Sequence, residues 1–150
     1  MPFDENELNK YAQDHAWNWF ALHAAQRMQA FNFFLVATAF LIAGYASLLE
    51  KHPGIAAIVS LIGAWIGFWF IRLERRTCQL IKAGESVLKI TQARLAEHAN
   101  IAEIKILELV EDSGPGASSY RKVIAAIEWV AVVGFVLACA YAARLAICSE

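Results

Sequence analysis

Few residues in this chain are suited to chemistry, and most of those are charges set in or beside apolar runs. Glu128 lies inside one such run near the C-terminus. A carboxylate within a membrane span costs roughly 2.5–3.5 kcal/mol at the bilayer centre, and less near the interface. Glu128 therefore has two readings. Either it faces a water-filled path or a cation, or it snorkels to the headgroup region beside Arg121 and Lys122. Asn32 sits near the start of another uncharged run, where it either lines a pore mouth or caps a helix contact. Arg72, Arg75, Arg76, Lys82 and Lys89 follow a third. Their chemistry is phosphate binding, to lipid headgroups or an oligonucleotide, or else simply that of a solvated helix flank. On one helix such a stripe is a weak polyanion site. Repeated by symmetry in an oligomer it forms a basic ring, whose affinity grows with each phosphate neutralised.

Other chemistries find no support. There is no Gly-rich phosphate loop, no G-x-S-x-G elbow and no H-E-x-x-H. His15 and His23 fall on nearly one helical face, but two imidazoles do not complete a metal site. Cys78, Cys139 and Cys148 form no C-x-x-C pair, which points to unpaired thiols. The expectation is a protein that is not an enzyme and uses no cofactor or metal.

The elements that position these residues are membrane helices. Of 150 residues, 59% are hydrophobic and 18% charged, too apolar for a small soluble domain. Residues 30–49 and 53–71 carry no charge, and each run is about as long as a helix that crosses a bilayer. Only Glu50, Lys51 and His52 separate them, so they read as a transmembrane hairpin. The second arm holds Ala56, Ser60, Gly63 and Gly67 at spacings that favour close helix contact. Residues 123–147 read as a third span, with Gly134, Ala138 and Ala142 along one edge and Arg144 snorkelling outward.

The remaining segments read as amphipathic helices. Asp4 followed by Glu7 is a helix start, and residues 5–27 gather apolar and aromatic side chains toward one face. That helix either lies on the membrane surface, packs under the bundle, or continues into the first span. The acidic N-terminus is unlike a secretory signal, so the first span should be retained. Residues 72–111 repeat Leu73, Leu80 and Val87, then Ile81, Leu88 and Leu95, at seven-residue intervals. This two-register seam favours a helical bundle or coiled coil between subunits, interrupted near residues 98–100. DSGPGASS, residues 112–119, reads as a hinge, with Ser118 or Ser119 capping the next helix.

The fold class is therefore an all-α membrane protein in one membrane domain: an N-terminal amphipathic helix, a transmembrane hairpin, a long cytoplasmic helix and a third transmembrane helix. Basic residues crowd the segment between the second and third spans, whereas the hairpin turn carries only Lys51. The positive-inside rule then puts that segment and the N-terminus in the cytoplasm.

HAAQRMQAFNFFLVATAFLIAGY, residues 23–45, and FWFIRLERRTCQLIKAGESVL, residues 68–88, together resemble the SLATT-like membrane effectors of bacterial anti-phage systems. They look most like the membrane effector of the Hailong system. These stretches cover less than a third of the chain. What the resemblance implies is a homo-oligomeric ion channel of the bacterial inner membrane, expected to be a tetramer. A partner nucleotidyltransferase would make a DNA or nucleotide oligomer that gates it, and its opening would depolarise the cell. The resemblance transfers no ligand residues; the five basic positions above are chosen by charge and position. Two other classes compete with this reading. One is a small proton-coupled transporter titrating Glu128, and the other is a non-conducting scaffold that recruits a partner through residues 80–110.

Overall fold

The computed structural model describes residues 5–112 and 120–148, and among them every regular element is a helix. The order is α1 (Glu5–Leu49), α2 (Pro53–Ala99), a short 3-10 turn (Ala102–Ile104), α3 (Ile106–Asp112) and α4 (Tyr120–Cys148). Three of these helices, α1, α2 and α4, are long and apolar enough to cross a membrane. The Asp4 cap falls outside the described residues, as does the 112–119 hinge apart from Asp112, which ends α3.

α1 is continuous, so the N-terminal helix and the first span are one element. The joining sequence AAQRMQAFNF holds neither glycine nor proline, and its residues are mostly good helix formers. α1 gives way to α2 through a turn whose geometry is local. The His52 N–H donates to the Leu48 carbonyl at 2.8 Å, and the His52 carbonyl accepts from Ile55 and Ala56 at 3.0 Å each. His52 thus closes one helix and opens the next. Pro53 stands at the first helical position, where its missing N–H costs nothing. α2 stops at Ala99 by a different device. Asn100 takes a left-handed conformation with φ 54, and the Ile101 N–H returns to the Ala96 carbonyl at 3.1 Å. This is a Schellman-type stop, with asparagine in the place glycine more often takes.

The chain forms two compact units, and α1 and α2 contribute to both. One unit joins Met28–Arg75 to α4. In it α1 and α2 run antiparallel. Phe34 meets Phe70 with ring centroids 5.3 Å apart, and Gly44 lies against Val59. α4 packs on the glycine edge of α2. A Cβ on Gly63 would stand 2.8 Å from the Phe135 ring, and one on Gly67 would stand 2.6 Å from Val132 Cγ2. The Gly63–Gly67 edge is therefore consumed inside the protomer. Gly134 on α4 has open space where a Cβ would go, whereas Ala142 is fully buried, so the α4 small-residue edge does not form one contact face.

The other unit joins the beginning of α1, up to Arg27, to the chain from Arg76 through α3. Its core is Ala16 with Ile81, Leu88 and Ala96. Gly84 admits Trp19 and Phe20, whose atoms lie 3.2–3.3 Å from where its Cβ would be. The Trp19 indole N–H donates to the Leu80 carbonyl at 3.0 Å. The 107 N–H reaches the Gln92 side-chain oxygen at 3.3 Å, tying α3 to α2. The two heptad rows divide here. Ile81 and Leu88 are buried within the protomer, while Val87 and Leu95 are exposed, as is Leu73 in the first unit. Each row thus has positions packed within the protomer and positions left on its surface, because the first half of α1 lies alongside α2 and covers Ile81 and Leu88.

The glycine contacts set a stability test. Gly63→Leu and Gly67→Leu force Phe135 and the stiff Val132 away from α2, at a cost of about 1–3 kcal/mol each. Gly134→Ala adds a Cβ with nothing within 4 Å and brings no such loss. Thermal unfolding of the detergent-solubilised protein, read by tryptophan fluorescence, should show both losses and the neutral control.

Candidate functional site

Interior positions on α4 follow a stripe of Ile124, Glu128, Phe135 and Ala142, all buried. The facing stripe on α2 is Ala56, Ser60, Gly63, Gly67 and Ile71. Gly63 opposite Phe135 and Gly67 opposite Val132 fix an antiparallel register between them. One turn further along that register, Glu128 comes level with Ile71, at the depth of the Phe34–Phe70 pair. It is 2% exposed, so its carboxylate sits in the protomer interior and does not snorkel to the surface. Burial of a charge is costly in an apolar medium unless partners compensate it, so this position is held by the surrounding packing. Ser60, deeper in the bundle, is fully buried, and its Oγ finds no hydrogen-bond partner among the described residues.

Asn32 lies elsewhere: it is exposed on α1. The two pore candidates are therefore not brought together, one being interior to the protomer and the other on its outside. Arg144 is exposed on α4. α1 and α4 also frame an apolar groove of about 460 Å³, bordered by Thr38, Ile42, Tyr45, Val130 and Gly134. The Tyr45 hydroxyl donates to the Ala138 carbonyl at 3.2 Å, which satisfies the one strongly polar group there.

All five basic-face residues belong to α2. Arg72 and Arg75 are exposed in the first unit, and Arg76 and Lys82 are exposed in the second. Lys89 is half-buried and holds an interaction of its own. The four exposed heads stand on an open helix surface, able to meet a polyanion but without walls to enclose a small one. The histidine pair separates: His15 is exposed, while His23 donates through Nδ1 to the Trp19 carbonyl at 2.8 Å and packs on the Trp19 ring. Among the described residues Cys78, Cys139 and Cys148 form no disulfide.

A polar groove of about 310 Å³ went unread in the sequence. Asn9, Lys10 and Gln13 of α1 line one wall, and Thr91, Arg94, Leu95 and His98 of α2 line the other. Each wall has helical spacing of three or four residues, which is visible in the sequence. Their juxtaposition depends on an antiparallel pairing of segments about eighty residues apart, which is not.

No protein-family model matches the chain, and no solved structure matches it. It is similar to CD-NTase-associated protein 19 of Escherichia coli, with 40% identity over 87 residues. The matched stretch is 56% of this chain and 58% of that protein, so the similarity spans little more than half the length of either. The relative's name carries association with a CD-NTase, not membership of a SLATT or Hailong group.

Proposed function

We propose that the protein is a homo-oligomeric ion channel of the bacterial inner membrane, a depolarising effector of anti-phage defence. A nucleotide or DNA oligomer made by a partner nucleotidyltransferase gates it. The observation that carries this reading is α2, one helix from Pro53 to Ala99 that holds both an apolar span and the basic face. A ligand that binds the charged part of this helix acts on an element that also enters the bilayer. The similarity to a CD-NTase-associated protein supports the link to a nucleotidyltransferase and to defence. A hairpin turn whose only Lys or Arg is Lys51, against the many basic residues after Ile71, supports a cytoplasmic N-terminus and a cytoplasmic segment 72–111.

Within this reading the protomers form a closed ring, with four expected. A path along its axis is lined by groups on the protomer surface, which selects Asn32 over the interior Glu128. The exposed side chains of Leu73, Val87 and Leu95 supply apolar area for subunit contact. The reading needs no catalytic residue and no cofactor. Glu128 keeps the transporter alternative in view. Substrate uptake abolished by Glu128→Gln, without any ion current, would favour it.

Expression without the partner enzyme should depolarise bacterial cells, read with a potential-sensitive dye; polarised cells under every trigger would remove the channel. Charge reversal at Arg76 and Lys82 should weaken oligonucleotide binding at least tenfold and flatten its salt dependence. Cysteine accessibility gives a third measurement. In a background lacking Cys78, Cys139 and Cys148, Asn32→Cys should react with a membrane-impermeant thiol reagent and block current, and Glu128→Cys should react far more slowly. Equal rates would contradict the placement of these two residues.

A further inference from the structure

The polar groove between residues 9–13 of α1 and 91–98 of α2 carries an inference that the charge pattern of the sequence did not. Within this unit Trp19 and Phe20 lie against Gly84, and Trp19 bonds to Leu80. Carried along two antiparallel helices, that register sets Lys10 level with Arg94 and Gln13 level with Thr91. Lys10 and Arg94 thus stand on opposite walls of a groove whose lining, among the described residues, includes no carboxylate. Glu7, Asp14 and Glu97, the acids nearest in sequence, do not line it. Among the described residues neither Lys10 nor Arg94 is in an ion pair. Like charges held opposite one another are destabilising, and an anion between them reverses the sign of that interaction.

Backbone dipoles do not decide the matter. α1 begins and α2 ends near this groove, so a positive helix end and a negative one offset each other. The side chains decide it. His98 adds an imidazole that can donate a hydrogen bond. Arg94 offers a planar fork that fits two phosphate oxygens, and Lys10 a compact point charge. Asn9 and Gln13 each present an amide that both donates and accepts. Thr91 already donates its hydroxyl to the Leu88 carbonyl at 2.9 Å, which leaves its lone pairs to accept. Leu95 adds an apolar contact. A bare anion would use only the cations. Amides and an apolar side chain beside them suit the base and sugar of a nucleotide. About 310 Å³ stands at the small end of ligand pockets, room for one nucleotide unit and not for a strand.

The geometry points to this groove as a nucleotide-phosphate site, with Lys10 and Arg94 on the phosphate and Asn9 and Gln13 on the nucleoside. The assignment rests on the proposed response to a nucleotidyltransferase product, and it adds a groove with two walls to the open basic face. A phospholipid headgroup shares the phosphate chemistry, so the test separates the two sources.

Full-length protein in nanodiscs of zwitterionic lipid is titrated with a fluorescent 5′-phosphorylated adenosine dinucleotide. Lys10→Gln and Arg94→Gln should each weaken binding about tenfold, as expected for one charge-assisted hydrogen bond. Inorganic phosphate should compete with the probe. Gln13→Leu should weaken the dinucleotide while leaving competition by phosphate unchanged. Lys51→Gln, exposed in the hairpin turn, should bind within twofold of the parent. Circular dichroism confirms that each variant stays helical. Undiminished binding in the Lys10→Gln, Arg94→Gln double variant overturns the site and leaves the ligand to the basic face, and a loss in Lys51→Gln as large as that in Lys10→Gln overturns it as well. Groove-dependent binding of phosphatidylglycerol vesicles without dinucleotide binding overturns the nucleotide assignment in favour of a headgroup. Depolarisation of cells by a protein that binds no dinucleotide defeats the groove alone. Dinucleotide binding that needs Lys10 and Arg94 in a protein that never depolarises cells defeats the channel alone.

Discussion

The absence of side chains at Gly63 and Gly67 is the constraint on which the apolar unit depends. Phe135 and Val132 occupy the space a Cβ would need, so α4 approaches the backbone of α2 itself. In a bilayer this matters more than in water. Lipid tails are as apolar as leucine, so helices do not associate by withdrawing hydrocarbon from solvent, and close van der Waals packing takes over. The same approach sets the register between α2 and α4. That register turns Glu128 inward, with Ile124 on one side of it along the stripe and Phe135 on the other.

In the polar unit a glycine again sets the approach of two helices, with a different partner. Gly84 makes room for Trp19 and Phe20, and the indole N–H finds the Leu80 carbonyl. A tryptophan brings a large apolar face and one donor that must be satisfied when it packs. Meeting both needs at one level of the helix pair leaves little freedom to slide. The groove lining two to three turns away inherits its alignment from that contact. Ala16, Ile81, Leu88 and Ala96 fill the core between, and Val87 and Leu95 remain outside.

Features that act within a few residues of chain were readable from the sequence. Uncharged runs long enough to cross a bilayer identify helices, because a backbone in lipid must satisfy its own hydrogen bonds. The all-helical class with three apolar helices follows from that rule, and the structure has it. Features that depend on rotation about a helix axis, or on pairing at a distance, were not readable. Glu128 sits one turn inside a span by sequence, but only the Phe135 and Val132 contacts say which way it turns. Leu73, Leu80 and Val87 repeat as regularly as Ile81, Leu88 and Leu95, and nothing in the repeat tells which of these positions α1 covers. Lys10 and Arg94 carry no mark of each other in the chain. The basic cluster at Arg72, Arg75 and Arg76 drew attention because its charges are adjacent in sequence, which is a different property from convergence in space.

Two arrangements in the structure are not demanded by helix packing. Glu128 places a carboxylate in an apolar interior. Lys10 and Arg94 set like charges opposite each other across a groove. Sequences that specify one structure are consistent at every level, and departures from that consistency concentrate where function demands them. A passive anchor needs neither feature: leucine at 128 would pack the α4 stripe, and glutamate at 94 would pair with Lys10. Neither substitution disturbs the register that the glycines set, so both costs are separable from the fold. An electrostatic cost that the fold does not require can be relieved by something that comes and goes, such as an anion between the two cations. A ligand that relieves it in one state more than in another shifts the balance between those states by that difference. This is the physical content of the claim that the protein is a switch.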